Sequence, residues 1–294
     1  MRRLSKRDIG FSVLFLSPAF LIFTTFVLFA VLVSFYYTLM DWNGVGPAVF
    51  NGIKNYVRMV RDPDYWQVVK NTFKFAAMAV LLQNPVALIL AFAVARIGRG
   101  HRFFRSALFL PVVIPMVATG LLFSLLLNGD YNILNKLLAS IGLGFLQQRW
   151  LTDPKVVLYS VAVPQLWQYV GIHFIIYLAG IQGIPQEIFE SATLDGASGF
   201  KTITRIVLPL IWNVVTINII LNITGTLKAF DFPWIMTWGG PGLSSSYISV
   251  LMYKQAIKGF NFSYGITISM TILIFSLIFL LLFRLFFSRE DYEY

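Results

Sequence analysis

Six apolar runs, near 11–38, 73–95, 106–127, 156–182, 207–227 and 264–287, dominate this chain, and their interiors carry almost no charge. Only Lys74 and Arg284, both near run ends, interrupt them. A helix needs about 20 apolar residues to cross a hydrocarbon core about 30 Å thick, so each run can span a bilayer. Inside lipid the backbone must satisfy its own hydrogen bonds, and a single run of this length does so as a helix. The sequence therefore predicts an all-α, polytopic membrane protein with six transmembrane helices, forming a single membrane domain over 1–294. Composition agrees: 12% of residues are charged, against about 25% in a soluble domain.

Basic residues orient these spans. Arg2, Arg3, Lys6 and Arg7 crowd the N-terminal tail, and Arg96, Arg99, Arg102 and Arg105 crowd the short loop 96–105. The longer loops 39–71, 128–155 and 228–259 hold only three or four Lys and Arg each. The positive-inside rule then puts both termini, the 96–105 loop and the 183–206 loop in the cytoplasm. The first run exceeds the 7–15 residues of a signal-peptide core and lacks an Ala-x-Ala ending, so it reads as a retained span. The net charge of +10 is spread along span flanks, where it meets anionic lipid, and no contiguous patch suits a nucleic acid. There is no cysteine, which removes disulfides and thiolate metal sites.

Ionisable groups inside membranes mark ion and proton pathways. Here only His173 in the fourth span could titrate at depth. A proton- or sodium-driven carrier lacks its carboxylates, and no repeated segment suits an ion filter. His173 reads as packing, and the two histidines of the chain leave no metal site. The chain also lacks a G-x-x-x-x-G-K-[S/T] loop for nucleotide phosphates. Uphill transport would have to draw its energy from another polypeptide.

The polar break GIPQEIFESATLDGASGFKTITRIVLP at 183–209 is where a soluble partner could act. Pro185 suits a first helical turn, and Ile188 and Ala192 share one face of the helix that follows. Asp195-Gly196 marks a turn, and Ser198 can cap a second short helix carrying Phe200, Ile203 and Ile206. Glu190 and Asp195 face water in such a hairpin. An interfacial amphipathic connection would show the same periodicity. The residues Glu190, Ala192, Asp195, Gly196, Ala197 and Pro209, however, closely resemble in register the signature of permease subunits of binding-protein-dependent ABC importers. Ser191 and Asn213 depart from that pattern. The resemblance implies a type I importer permease fold and a coupling loop over 183–206. It also implies roles in docking to a separate ATPase for Glu190, Ala192, Asp195, Gly196 and Ala197.

Leu110-Pro111, Pro115, Trp167, Phe230-Asp231, the Gly239-Gly240-Pro241-Gly242 cluster and the aromatic run 260–265 are similar to the carbohydrate-uptake branch of that family. A sugar site needs amide, hydroxyl and aromatic partners with few full charges. Gln165, Trp167, Gln168 and Tyr169 in the fourth span, and Asn218, Asn222, Thr224 and Thr226 in the fifth, supply that chemistry. The same residue types also serve as glue between membrane helices and as interfacial anchors. The family's path supports Gln168, Tyr169, Asn222 and Thr226, with Met116 as an apolar wall. Asp231 reads as ordering a turn or meeting a binding protein.

The resemblance thus implies a non-catalytic permease in a prokaryotic cytoplasmic membrane, importing a sugar, oligosaccharide or polyol. Its partners would be a second permease, a cytoplasmic ATPase dimer that hydrolyses the ATP, and an extracytoplasmic solute-binding protein. No cofactor is implied for this chain. The alternatives are an importer for another solute such as glycerol phosphate, a lipid-modifying membrane enzyme, or an assembly scaffold. The first would favour cations near the path. The second would need a catalytic constellation that His101, amid arginines, does not supply.

Overall fold

A computed structural model describes residues 6–97, 99–129, 133–197 and 199–287. It is almost wholly helical, with one two-residue β-pair among the described residues. Five helices are long and apolar enough to cross a membrane: Leu14–Thr38, Pro63–Ala95, Val157–Gln182, Trp212–Thr237 and Phe262–Leu285. The pair His101–Val113 and Met116–Leu127, counted as one broken span, makes a sixth.

The expected 156–182 span matches Val157–Gln182 almost residue for residue. The second span differs: its helix begins at Pro63, ten residues before the expected 73. The added turns expose Trp66, Gln67 and Lys70 and bury Tyr65, Val68, Val69 and Asn71. That amphipathic stretch continues the helix beyond the hydrocarbon, where an apolar-run criterion does not detect it. The fifth span starts as helix at Trp212 after a break at Ile211 (φ −101°, ψ 24°), not at 207.

The third span departs most. It is not a continuous helix over 106–127 but two segments bent by 87°. Ile114 and Pro115 are extended, with ψ of 131° at each. Proline has no N–H to give the preceding turn, and its ring disfavours helix in the residue before it. Pro111 is tolerated within the first segment, and Pro115 ends it.

Two compact units are distinguished. The first runs to Asp62 and takes in Met252–Met270; the second comprises Pro63–Leu251 and the residues from Thr271 onward. In the first, Met40 and Asp41 pair antiparallel with Phe50 and Val49. Trp42 stacks on Tyr37 at 4.6 Å, and the Arg58 guanidinium lies 4.0 Å over the Tyr264 ring. Asn55 Nδ2 donates to the carbonyls of Thr38 and Met40 at 2.9 and 2.7 Å, tying the end of the first span to this hairpin.

The second unit holds the broken span and its neighbours. Small residues let its helices approach: a Cβ on Gly171 would lie 2.5 Å from the Leu108 carbonyl oxygen and 3.0 Å from Phe109 Cα. A loop after the fifth span, with Gly239 and Gly242 at positive φ, is fastened by Asn71. Its Nδ2 donates to the carbonyls of Leu243, Ser244 and Ser246 at 3.0–3.1 Å.

Because the groups facing Gly171 are backbone, they cannot move aside. Gly171→Val should cost about 1–3 kcal/mol of stability by overpacking, read as a lower unfolding midpoint in detergent. Gly225→Ala, at a position with nothing within 4 Å of a new Cβ, should stay within about 0.5 kcal/mol of wild type.

Candidate functional site

A cavity of about 400 Å³ opens between the second, third, fourth and fifth spans. Met116, Gln165, Tyr169, His173, Asn222 and Thr226 are among its lining residues. The broken third span creates part of this wall, because Met116 is the first residue after the Pro115 break. Gln168 holds that break. Its side chain is 1% exposed, and its Nε2 donates to the Ile114 carbonyl oxygen at 2.6 Å. A carbonyl released from a helix ladder inside a membrane needs such a donor. Tyr169, the next residue, sends its hydroxyl to Met116 Sδ at 2.9 Å.

Of the expected path residues, Met116, Tyr169, Asn222 and Thr226 therefore meet around one cavity. Gln168 lies off its wall, spent on the Ile114 carbonyl. Gln165, one turn before Tyr169, lines the cavity and has its Oε1 unpartnered.

The cavity floor is a buried polar network. Asn222 Nδ2 donates to Gln83 Oε1 at 2.9 Å and to His173 Nε2 at 3.1 Å. Asn218 Nδ2 donates to the His173 carbonyl, so its Oδ1 faces His173 Nδ1, 2.5 Å away. With Nε2 accepting from Asn222, Nδ1 must carry the proton. Gln83 Nε2 in turn donates to the Leu166 carbonyl at 3.0 Å. Both Asn222 N–H groups are then committed, and its buried Oδ1 is left without a partner. His173, expected only to pack, ties the fourth and fifth spans and lines the cavity.

Sequence reasoning missed Gln83. It closes a π-helical turn, Ala79–Gln83, in the second span. Such a turn inserts one residue into the helix and re-aims the side chains after it. The adjacent polar pair Gln83-Asn84 inside a long apolar run was the available signal. Lys228 and Asp231 were not expected in the wall but line its outer end. Both lie past Leu227, where the expected fifth span and the helix Trp212–Leu227 end, so a search of the expected span interiors for charge passes over them.

At the other end of this unit, Gln186–Leu194 forms the expected short helix, with Pro185 as its N-cap. Its C-terminus closes as a Schellman motif. Gly196 (φ 75°) donates its N–H to the Thr193 carbonyl at 3.1 Å, and Ala197 donates to the Ala192 carbonyl at 2.9 Å. Ala192 is buried, and Ile188 and Phe189 pack on a cluster that includes Phe92, Ile181, Ile184, Ile203 and Val207. Glu190, Asp195 and Gly196 are exposed. Nothing lies within 4 Å of a Cβ built on Gly196. Leu194 is 89% exposed and Phe200 75%, flanking the turn with unpartnered apolar surface.

The expected cap Ser198 lies outside the described residues. Beyond it, Phe200, Ile203 and Ile206 do not share a face as expected. Ile203–Val207 is a π-helical turn, which lets Ile203 and Val207 turn inward while Phe200 stays out.

The chain matches, over residues 83–291, the model of the binding-protein-dependent transport system inner membrane component family. It belongs to that family. It is 35% identical to a probable ABC transporter permease protein of Pyrococcus horikoshii, over 92% of each chain. It is 32% identical to the lactose transport system permease protein of Rhizobium radiobacter, over 87% of each. Its fold matches, at 21% identity and a TM-score of 0.78, a chain of a bacterial ABC transporter involved in import of the acidic polysaccharide alginate. That match covers 96% of this chain and 98% of the other. The protein is thus a multi-pass inner-membrane permease, a transport subunit rather than an enzyme.

Asn222→Leu would leave Gln83 Oε1 and His173 Nε2 without their donor. It should cost about 1–2 kcal/mol, the upper part of the range for hydrogen bonds between membrane helices. Thr226 bonds only the Ile223 carbonyl of its own helix, so Thr226→Val should cost less than about 0.5 kcal/mol. Denaturant unfolding of the purified permease compares the two.

Proposed function

We propose that this chain is the permease subunit of an ATP-driven importer that carries a sugar, oligosaccharide or related polyol across the cytoplasmic membrane. The carrying observation is the pairing of an amide-lined cavity with a rigid, outward-facing hairpin in one compact unit. The amide residues Gln165 and Asn222 line the cavity with Tyr169, residue types suited to sugar hydroxyls and a flat sugar face. About 400 Å³ falls within the roughly 300–1,000 Å³ of small-molecule sites. Met116, Tyr169, Asn222 and Thr226 form the path in this reading. Gln168 serves it indirectly, by holding the break that puts Met116 in the wall. The lactose and alginate systems named above support a saccharide cargo.

The whole chain acts as one permease domain with both termini cytoplasmic. It pairs with a second permease, receives solute from an extracytoplasmic binding protein, and rests on a cytoplasmic ATPase dimer. The 183–206 segment is the coupling loop. Leu194 and Phe200 give the ATPase an apolar surface. Glu190 and Asp195 supply charge beside it, and the Schellman turn of Ala192, Gly196 and Ala197 fixes its shape. Closure of the ATPases on ATP pulls these loops together and opens the cavity outward, and hydrolysis resets it. Ile188, Phe189 and Ile203 transmit the motion, because they pack on the same cluster as the second and fourth spans.

Lys228 at the outer end of the cavity raises an anionic cargo such as glycerol phosphate. Asp231 lines the same end, leaving that wall without net charge and favouring a neutral solute.

In the assembled importer reconstituted in liposomes, Glu190→Lys and Gly196→Trp should lower uptake and substrate-stimulated ATP hydrolysis by roughly tenfold, a coupling loss of about 1.4 kcal/mol. Gly196 has open space around it but a positive φ, so tryptophan strains the turn as well as obstructing the partner, whereas Glu190→Lys changes only an exposed side chain. Both variants should still insert and co-purify with the second permease. Unchanged uptake would rule out this segment as the coupling element.

A further inference from the structure

On the face opposite the Gln186–Leu194 helix, a groove of about 700 Å³ lies between the start of the second span and the start of the fourth. Its polar lining includes Lys70, Lys74 and Lys155, and its aromatic lining includes Trp66 and Tyr159. No carboxylate is among the described lining residues. The acidic residues adjoining the lining in sequence are Asp62 and Asp64, on either side of Pro63, and Asp153, whose Oδ1 accepts from the Lys155 backbone N–H at 2.8 Å. Asn71, also in the lining, is committed to loop carbonyls and helps fix the groove's upper edge.

Depth argues for what fills it. About 20 helical residues cross the hydrocarbon, and counting back from Ala95 at the cytoplasmic end brings the boundary to about Ala76. Lys74 stands just above that level and Lys70 one turn higher on the same face. The same count from Gln182 on the fourth span reaches about Val163, with Tyr159 one turn above. The lysines therefore gather at headgroup height, where long cationic side chains extend to phosphate. Exposed Trp66 and Tyr159 are the aromatic types of a membrane interface. A soluble anion would need no such depth and no aromatic rim.

We propose that Lys70, Lys74 and Lys155, rimmed by Trp66 and Tyr159, form a binding site for the phosphate headgroup of an anionic phospholipid. The bound lipid occupies the groove between the second and fourth spans with its acyl chains directed down the membrane face of the protein. Meeting three ammonium groups in a lining without a carboxylate, it braces the outer ends of two spans that wall the central cavity.

Native mass spectrometry of the assembled importer, delipidated and titrated with phosphatidylglycerol or phosphatidylcholine, tests this. Wild type should retain phosphatidylglycerol in preference to phosphatidylcholine, and the triple variant K70Q/K74Q/K155Q should retain it roughly tenfold less. The charge-preserving variant K70R/K74R/K155R should restore retention, which separates loss of charge from misfolding. Glycerol phosphate at millimolar concentration should form no adduct. Equal retention by wild type and the glutamine variant would overturn the proposal. So would a glycerol phosphate adduct that depends on the lysines, since the groove would then hold a soluble anion. Unchanged lipid retention with weakened capture of the solute-binding protein would also overturn it, assigning the groove to a protein surface.

Discussion

A backbone group freed from its helix inside a bilayer must find a partner within the protein, and that requirement shapes the second unit. Breaking the third span at Pro115 is tolerable because Gln168 supplies a donor to the Ile114 carbonyl. The fourth and fifth spans can carry His173, Asn218 and Asn222 at depth because these residues bond one another and Gln83. The cavity lies beside these two bonded arrangements. The protein's own bonds leave buried amide oxygens of Gln165, Gln168 and Asn222 without partners.

The same logic separates structural from solute-facing polarity. Hydrogen bonds between membrane helices average about 0.6 kcal/mol, so no single one holds the bundle together. Their value here lies in direction. Asn222 spends both N–H groups on Gln83 and His173, which holds its side chain in the cavity wall. Gln168 spends its amide on the backbone and has no place in the wall. Two amides of similar chemistry thus divide into one that lines and one that braces.

Much of this was legible in the sequence. The fourth span followed from an unbroken apolar run, and the Gln186–Leu194 helix from Pro185 before it and Asp195-Gly196 after it. The Schellman closure explains why glycine stands at 196, where φ is positive, and why alanines at 192 and 197 flank it. Where the reading fell short, backbone irregularity was responsible. A π-helical turn turned Gln83 toward the fifth span, and another took Phe200 off the face of Ile203. Composition carries no signal for such turns. Two prolines marked the third span without revealing that the chain bends by 87° there. The second span's amphipathic extension was hidden because a helix leaving the membrane ceases to be uniformly apolar.

The cavity and the exposed hairpin lie in one compact unit, and the proposed coupling requires that an ATPase cover the hairpin. Leu194, the most exposed of its apolar residues at 89%, can report on that directly, because the chain contains no cysteine. A Leu194→Cys permease should react with a water-soluble maleimide at the rate of an open thiol when isolated in detergent. After assembly with its ATPase subunits the rate should fall roughly tenfold, since thiol modification follows exposure. An unchanged rate in an assembled, ATP-hydrolysing complex would mean that the hairpin stays bare, and would contradict the claim that energy enters the permease there.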